Sequence, residues 1–114
     1  MEIAELEKEL MQKAGWLVVK LGEQEGLVRS YAKSENDYRI ALASKMTELK
    51  LKGEKVTIIS DLSRGDKTVA GLKMDRDISQ GVLDACKSSI RSCQAIMSGV
   101  QSLISTRKEE MKLT

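Results

Sequence analysis

The side chains that most often carry chemistry in enzymes are sparse in this chain of 114 residues. Histidine, the commonest general acid and base and the commonest metal ligand, is absent. Cys86 and Cys93 fall on an apolar row, where a cysteine is more often a small core residue than a nucleophile. Acidic pairs such as Glu23 and Glu25 fit solvated helix surfaces, because catalytic carboxylates need burial or a fixed partner. We therefore expect no catalytic residue, no metal, no cofactor and no enzymatic activity.

The composition is typical of an all-helical cytosolic protein. Proline and phenylalanine are absent, so mostly helix-compatible aliphatic residues must supply the core. The two cysteines would lie roughly 10 Å apart on one helix, too far for an intrachain disulfide, and reduced thiols fit a cytoplasm. The acidic opening segment lacks an apolar leader, and the longest apolar run, AGWLVV, is too short to span a bilayer. The expected location is therefore cytoplasmic, with no membrane partner.

Apolar residues at seven-residue steps predict a long first helix over residues 2–52. One row contains Ile3, Leu10, Leu17, Tyr31 and Tyr38, and the second contains Ala14, Leu21, Val28, Leu42 and Leu49. Gln24 and Glu35 are the polar exceptions. Ser34, followed three positions later by Asp37, is typical of a helix N-cap. The pattern therefore predicts either one helix bent near residue 34 or two helices that meet there.

A second pair of rows predicts another long helix over residues 67–112. One row contains Val69, Leu83, Ile90, Met97, Ile104 and Met111, and the other contains Leu72, Cys86, Cys93 and Val100. A further apolar row beside them contains Ile78, Val82, Ala85, Ile96 and Leu103. The apolar stripe is then wider than one partner helix can cover. We expect an all-α fold, a single domain built as a long antiparallel helical hairpin and assembled as a homo-oligomeric bundle.

The hairpin also predicts which residues of the two helices are neighbours. A turn near Ile59 would pair residues whose numbers sum to about 120. The predicted neighbours are Lys45 with Asp75, Arg76 with Ser44 or Tyr38, and Glu35 with the segment from Leu83 to Ala85. The polar residues of the two seams, Glu35 and Arg76, then either lie within reach of one another or face solvent at a local irregularity. The sequence leaves both alternatives open.

The connection over residues 53–66 contains the segment TIISDLSRGDK, which the pattern predicts to be a turn with a short helix. Gly53 is suited to end the first helix, and Asp66 is suited to cap the second. Thr57 is a candidate cap for a short helix over residues 58–63. Its apolar residues Ile58, Ile59 and Leu62 are expected to pack inward. Every special residue of the connection then has a structural role without any ligand.

The middle third of the chain carries an excess of basic residues, and the N-terminal third is acidic. The basic residues that could contact a nucleic acid are Lys50, Lys52, Arg64, Lys67 and Lys73. A helix-turn-helix arrangement would place the segment from Thr68 to Arg76 in a DNA groove, although its first helix would be barely two turns long. Nucleic-acid binding by these residues is thus the alternative to protein binding.

Several short motifs follow one another between Tyr38 and Ser92. They are Tyr38-Arg39, Lys45 to Lys50, Gly53 to Lys67, Val69-Ala70 and Asp75 to Ile78. Together they cover about half of the chain and resemble a family of small helical proteins encoded by phages and prophages of Gram-positive bacteria. The resemblance implies a cytosolic accessory protein of a phage or prophage, of which the bound protein would be a phage or host protein. In the alternative interpretation it would bind nucleic acid in phage replication or recombination. It implies no reaction, because the family has no assigned activity. It also implies that the centre is an interaction surface, with candidates Arg39, Asp61, Arg64 and Asp66.

Overall fold

The computed structural model describes residues 2–113, and nearly all of them are helical. Helix α1 is Ile3–Leu51, α2 is Val56–Gly65 and α3 is Lys67–Lys112. The predicted all-α class is confirmed, since the chain is a helical hairpin with a short helix in its connection. Helix α1 continues through Ser34, whose hydroxyl donates a hydrogen bond to the carbonyl of Tyr31 at 2.9 Å. The alternative of two helices that meet at Ser34 is therefore wrong.

Contacts between α-carbons divide the hairpin into two compact units. The terminal unit consists of the chain up to Glu25 and from Asp84 onward, and the central unit is Gly26–Leu83. Within each unit a segment of α1 lies antiparallel to a segment of α3, and the central unit also contains α2. The prediction of a single domain did not anticipate this division of the contacts.

The terminal unit is held together by an apolar cluster. Leu6 is only 2 % exposed and packs with Val100 and Ile104, and Leu10 lies against them. Burial of one leucine side chain stabilises a fold by about 1.5–3 kcal/mol. The cluster therefore anchors the first turns of α1 to the C-terminal part of α3.

The two rows predicted for α3 are confirmed over most of the helix. Their buried members are Val69, Leu83, Cys86, Ile90, Cys93, Val100 and Ile104. The further apolar row remains uncovered, with Ile78, Val82, Ile96 and Leu103 between 47 % and 56 % exposed. The single chain thus leaves a second apolar row of α3 in water, as expected for a stripe wider than one neighbouring helix.

On α1 the first predicted row lies inward, and so do Ala14, Leu42 and Leu49 of the second row, but the second row is misplaced by one position between residues 20 and 28. Tyr38 is buried, but Leu21 and Val28 are 49 % and 43 % exposed. The preceding residues, Lys20 and Leu27, are partly buried in their place. At these turns the second inward row lies three residues after the first row, and not four as predicted. Lys20 fits an inward position because its aliphatic stem packs while its ammonium group reaches water.

Gly53 ends α1 as predicted. Its φ of 85° lies in the left-handed region, which glycine adopts without a steric penalty. The amide of Gly53 donates to the carbonyl of Lys50 at 3.1 Å, and the amide of Glu54 donates to the carbonyl of Leu49 at 3.2 Å. These two bonds form a Schellman motif, which satisfies carbonyls at the end of α1 and turns the chain toward α2.

Helix α2 begins earlier than predicted. Its first residue is Val56, and Lys55 at the N-cap position makes no side-chain capping bond. Thr57 lies inside the helix, so its predicted role as the cap is wrong. The reason is the short link after Gly53, which leaves only two residues before the helical conformation resumes.

The inward face of α2 also differs in part from the prediction. Ile59 is buried as expected, and Ser63 is fully buried beside it at the next turn. Ile58 and Leu62 were expected to pack inward but are 40 % and 45 % exposed. Since residues four apart share one helix face, the small Ser63 marks where α2 lies closest to the rest of the central unit.

Candidate functional site

Arg76 of α3 pairs with Glu35 of α1, so the polar residues of the two seams meet inside the central unit. Its Nη1 lies 3.2 Å from Oε2 of Glu35, and both side chains are 21 % exposed. Its guanidinium carbon lies 4.7 Å from the centre of the Tyr38 ring, and its Nη2 lies 3.0 Å from Oδ1 of Asp77. The predicted neighbours Arg76 and Tyr38 are confirmed. A helix-turn-helix that placed Arg76 in a DNA groove would have to free its guanidinium from these two carboxylates.

These contacts shift the pKa values of the groups involved. The hydrogen bond from Arg39, at 2.6 Å, lowers the pKa of Glu35 most, and Arg76 lowers it further. The hydrogen bond with Asp77 raises the pKa of Arg76 and lowers that of Asp77. A general acid or base needs a pKa near the working pH. The cluster therefore remains ionised near neutral pH and acts as a structural clamp between α1 and α3.

Asp66 has a second structural role at the start of α3. Its Oδ2 accepts hydrogen bonds from the amides of Thr68 and Val69, each at 3.1 Å. Its Oδ1 lies 3.5 Å from Nζ of Lys45. The bond from the Val69 amide is the main cause that lowers the pKa of Asp66. The prediction that Asp66 caps the second long helix is confirmed.

The register of the hairpin is offset from the predicted one. Two predicted neighbours are wrong: Lys45 with Asp75, and Glu35 with the segment from Leu83 to Ala85. Lys45 lies beside the residue that caps α3, so the last turns of α1 extend past the start of α3. Those turns lie beside α2, where Leu49 and Ile59 are both buried. Helix α2 thus fills the space beside the last turns of α1, which a simple turn would have left empty. The offset between the predicted and the observed register follows from the presence of α2.

A shallow groove of about 270 Å³, the α1–α2 groove, opens between the end of α1 and α2. It is lined by Met46, Thr47, Lys50, Val56, Ile59 and Ser60. Val56 is 81 % exposed, and Leu51 at the end of α1 is 83 % exposed. Apolar side chains exposed together beside a groove are typical of a surface that binds another protein.

The four interaction candidates lie on three different elements. Asp61 and Arg64 share the exposed face of α2, three positions apart. Arg39 lies on α1, paired with Glu35, and Asp66 is the cap of α3. The structure thus leaves Asp61 and Arg64 as exposed interaction candidates and gives Arg39 and Asp66 structural partners.

The basic residues proposed to contact a nucleic acid are exposed but dispersed. Lys52 lies 3.0 Å from Glu48, and Lys73 lies 3.3 Å from Asp77. The other three, Lys50, Arg64 and Lys67, lie on α1, α2 and α3 respectively. Phosphate groups would have to compete with the neighbouring carboxylates for two of the five cations. This arrangement differs from the clustered basic face typical of nucleic-acid-binding proteins.

The two thiols of the terminal unit point toward the backbone of α1. Sγ of Cys86 donates to the carbonyl of Lys20 at 3.8 Å, and Sγ of Cys93 donates to the carbonyl of Lys13 at 3.6 Å. Both cysteines are free and buried. Their prediction as small core residues is confirmed, and burial keeps them away from reagents in solution.

A larger groove of about 470 Å³, the α1–α3 groove, lies within the terminal unit. Its lining consists of Gln12, Lys13, Trp16, Ser88, Ser89, Ser92, Cys93 and Ile96. The Trp16 ring is partly exposed, and Nζ of Lys20 lies 5.6 Å from its centre. The lining offers small and apolar side chains and no carboxylate. It therefore suits the packing of a partner more than acid–base chemistry.

Sequence reasoning missed both grooves. The shape of a groove between two helices depends on their register, and the predicted register was offset. The one available signal was Trp16, an aromatic residue that belongs to neither predicted row of α1. A large ring outside the seam indicates a second packing surface.

Comparison of the chain with protein-family models, curated proteins and solved structures yields no match. Within residues 2–113, no group of histidine, cysteine, aspartate and glutamate side chains is arranged to hold a metal ion. In the same range no helix combines the length and the apolar character needed to cross a bilayer. The case for a function therefore rests on the surfaces of the two units.

Proposed function

We propose that the chain is a non-enzymatic accessory protein of a phage or prophage, and that it acts by binding another protein through α2 and the adjoining end of α1. The observation that carries the proposal is the α1–α2 groove with Val56, 81 % exposed, at its edge. The sequence resemblance to small phage proteins supports the biological setting, because the resembling motifs include the whole of α2. The proposal includes homo-oligomerisation of the chain.

The groove favours a particular kind of partner segment. Met46, Val56 and Ile59 provide apolar contact for one aliphatic or aromatic side chain. Lys50 in the lining favours a carboxylate beside that side chain. The exposed residues Asp61 and Arg64 add one charge of each sign on α2. These two charges would orient the partner segment.

The test is capture of the partner by a tagged chain from bacteria that carry the corresponding phage, with the Val56→Asp variant in parallel. Val56 is exposed, so the substitution leaves the fold intact while it places a charge at the edge of the groove. The matched control is Met11→Asp, at an apolar residue 76 % exposed in the terminal unit. We expect wild type and Met11→Asp to capture the same phage or host protein and Val56→Asp to lose it. Equal capture by all three chains would contradict the proposal.

Nucleic-acid binding predicts a different result. A mobility shift at low salt should weaken steeply with added salt and disappear when the cations at the centre are neutralised. The variant for this test replaces Lys50, Lys52, Arg64 and Lys67 with glutamine. We expect no shift for the wild-type chain at low salt. A shift that the variant abolishes would favour the alternative.

A further inference from the structure

One side of the terminal unit carries no charged residue on α3. The exposed residues of this uncharged face are Ala85, Ser88, Ser89, Ser92, Ala95, Ile96, Gly99, Ser102 and Leu103. Of the charged residues of the same stretch, Asp84 and Arg91 border this face, each four positions before one of its members, and Lys87 projects from another side of the helix. In a chain with 32 % charged residues, nine exposed positions on one face without a charge indicate a surface that is covered in the functional state.

The uncharged face has the spacing of a helix-packing seam. Ala85, Ser92 and Gly99 form one row at seven-residue steps. Ser89, Ile96 and Leu103 form a second row at the same steps, each four residues after a member of the first. Small residues in one row allow another helix to approach closely, while Ile96 and Leu103 in the other row provide apolar contact. This second seam is separate from the one that faces α1.

Helix α1 extends the same side of the terminal unit. Trp16 lines the α1–α3 groove with Ser89, Ser92 and Ile96, and its side chain is 39 % exposed. Val19, one turn further along α1, is 60 % exposed. A surface two helices wide and about 27 Å long covers about 500 Å² per copy. Two such surfaces bury about 1,000 Å², the lower limit for a specific interface.

We infer that a second copy of this chain covers the uncharged face, with α1 of each copy on α3 of the other. Charge selects this pairing. Acidic residues outnumber basic ones in the α1 part of the terminal unit, and basic residues outnumber acidic ones in its α3 part. Stacking α1 on α1 would oppose like charges, whereas α1 on α3 pairs opposite charges. The inference deepens the proposed oligomerisation by naming its surface, and it does not involve the α1–α2 groove.

The test measures mass by light scattering and the emission of Trp16, the single tryptophan of the chain. Ile96→Glu places a charge in the second seam, and Gly99→Leu fills the space reserved for the partner helix. Both positions are exposed in the single chain, so helix content should not change. Met11→Glu, outside the uncharged face, is the control. We expect a wild-type dimer and self-association weakened on the order of 100-fold in both variants. Trp16 emission should shift to longer wavelength in these variants, with no change for Met11→Glu.

A wild-type mass of one chain, or dimers unaffected by Ile96→Glu and Gly99→Leu, would overturn the inference. Dissociation caused by Met11→Glu alone would also overturn it, because it would place the interface elsewhere. The Val56→Asp variant separates the two surfaces, since it should remain a dimer while it loses the captured partner. A monomeric wild type that still captures its partner through Val56 would contradict the inferred dimer and would leave the partner-binding proposal unaffected.

Discussion

The two units of this hairpin join the same two helices by different chemistry. In the terminal unit the buried contacts are apolar, with the cluster around Leu6 and two thiols against the backbone of α1, and the ion pair of Lys108 with Glu7 is exposed and 3.9 Å long. In the central unit long-range ion pairs join the helices, namely Arg76 with Glu35 and Lys45 with Asp66. Ion pairs depend on position much more than apolar contacts do, so the central unit fixes the register. The terminal unit leaves apolar side chains such as Ile96 and Leu103 exposed.

The largest expected effect is on the apolar unit. Leu6→Ala removes a side chain that is 2 % exposed and leaves a cavity beside Val100 and Ile104. We expect a loss of about 3 kcal/mol in the free energy of unfolding. The measurement is urea denaturation followed by circular dichroism. The control Met11→Ala, at an exposed site, should change stability by less than about 0.5 kcal/mol. A loss for Leu6→Ala as small as that of the control would mean that the cluster does not hold the unit together.

An opposite and smaller effect is expected in the central unit. The hydroxyl of Ser63 is fully buried and is the one buried side-chain oxygen or nitrogen of the described residues without a hydrogen-bond partner. A buried hydroxyl without a partner lowers stability, so Ser63→Ala should raise the free energy of unfolding by about 1 kcal/mol. Thr57→Ala, on the exposed side of α2, is the control. Destabilisation by Ser63→Ala in the same urea experiment would contradict the packing described for α2.

The smallest expected effect is a difference in stability between the two units at low pH. Glu35, Glu48, Asp66 and Asp77 of the central unit all have a lowered pKa, caused by Arg39, Lys52, the Val69 amide and Arg76 respectively. Carboxyls with lowered folded pKa values stabilise the fold above their unfolded pKa of about 4, and this contribution is lost as pH falls through the folded value. Amide hydrogen exchange should therefore show α2 loosening in acid before the α1 turn at Leu6. Simultaneous loosening of both regions would show that the ion pairs contribute little.

Much of the fold was readable from the sequence because apolar residues recur at seven-residue steps along α3, with few polar exceptions such as Arg76. The caps were also readable, since Gly53 and Asp66 have few alternative roles in such a segment. The middle of the second row of α1 was not readable. Apolar residues occur there both three and four positions after the first row, and Leu27 competes with Val28 for the inward side. Only the partner helix decides between them.

The site was less predictable than the fold. Asp61 and Arg64 are predicted interaction residues because they belong to a motif with a recognisable resemblance, and both are exposed on α2. The α1–α2 groove was missed because it depends on how far α1 runs beyond the cap of α3. That distance is set by the pairing of Lys45 with Asp66, a contact that no periodicity encodes.

The central claim is that the terminal unit of one chain leaves a helix-packing surface for a second chain. Sedimentation equilibrium of the wild-type protein over a wide range of concentrations tests it most directly. We predict a mass that rises to twice the 12.6 kDa of one chain and then stays constant. A mass of one chain at every concentration would contradict the account.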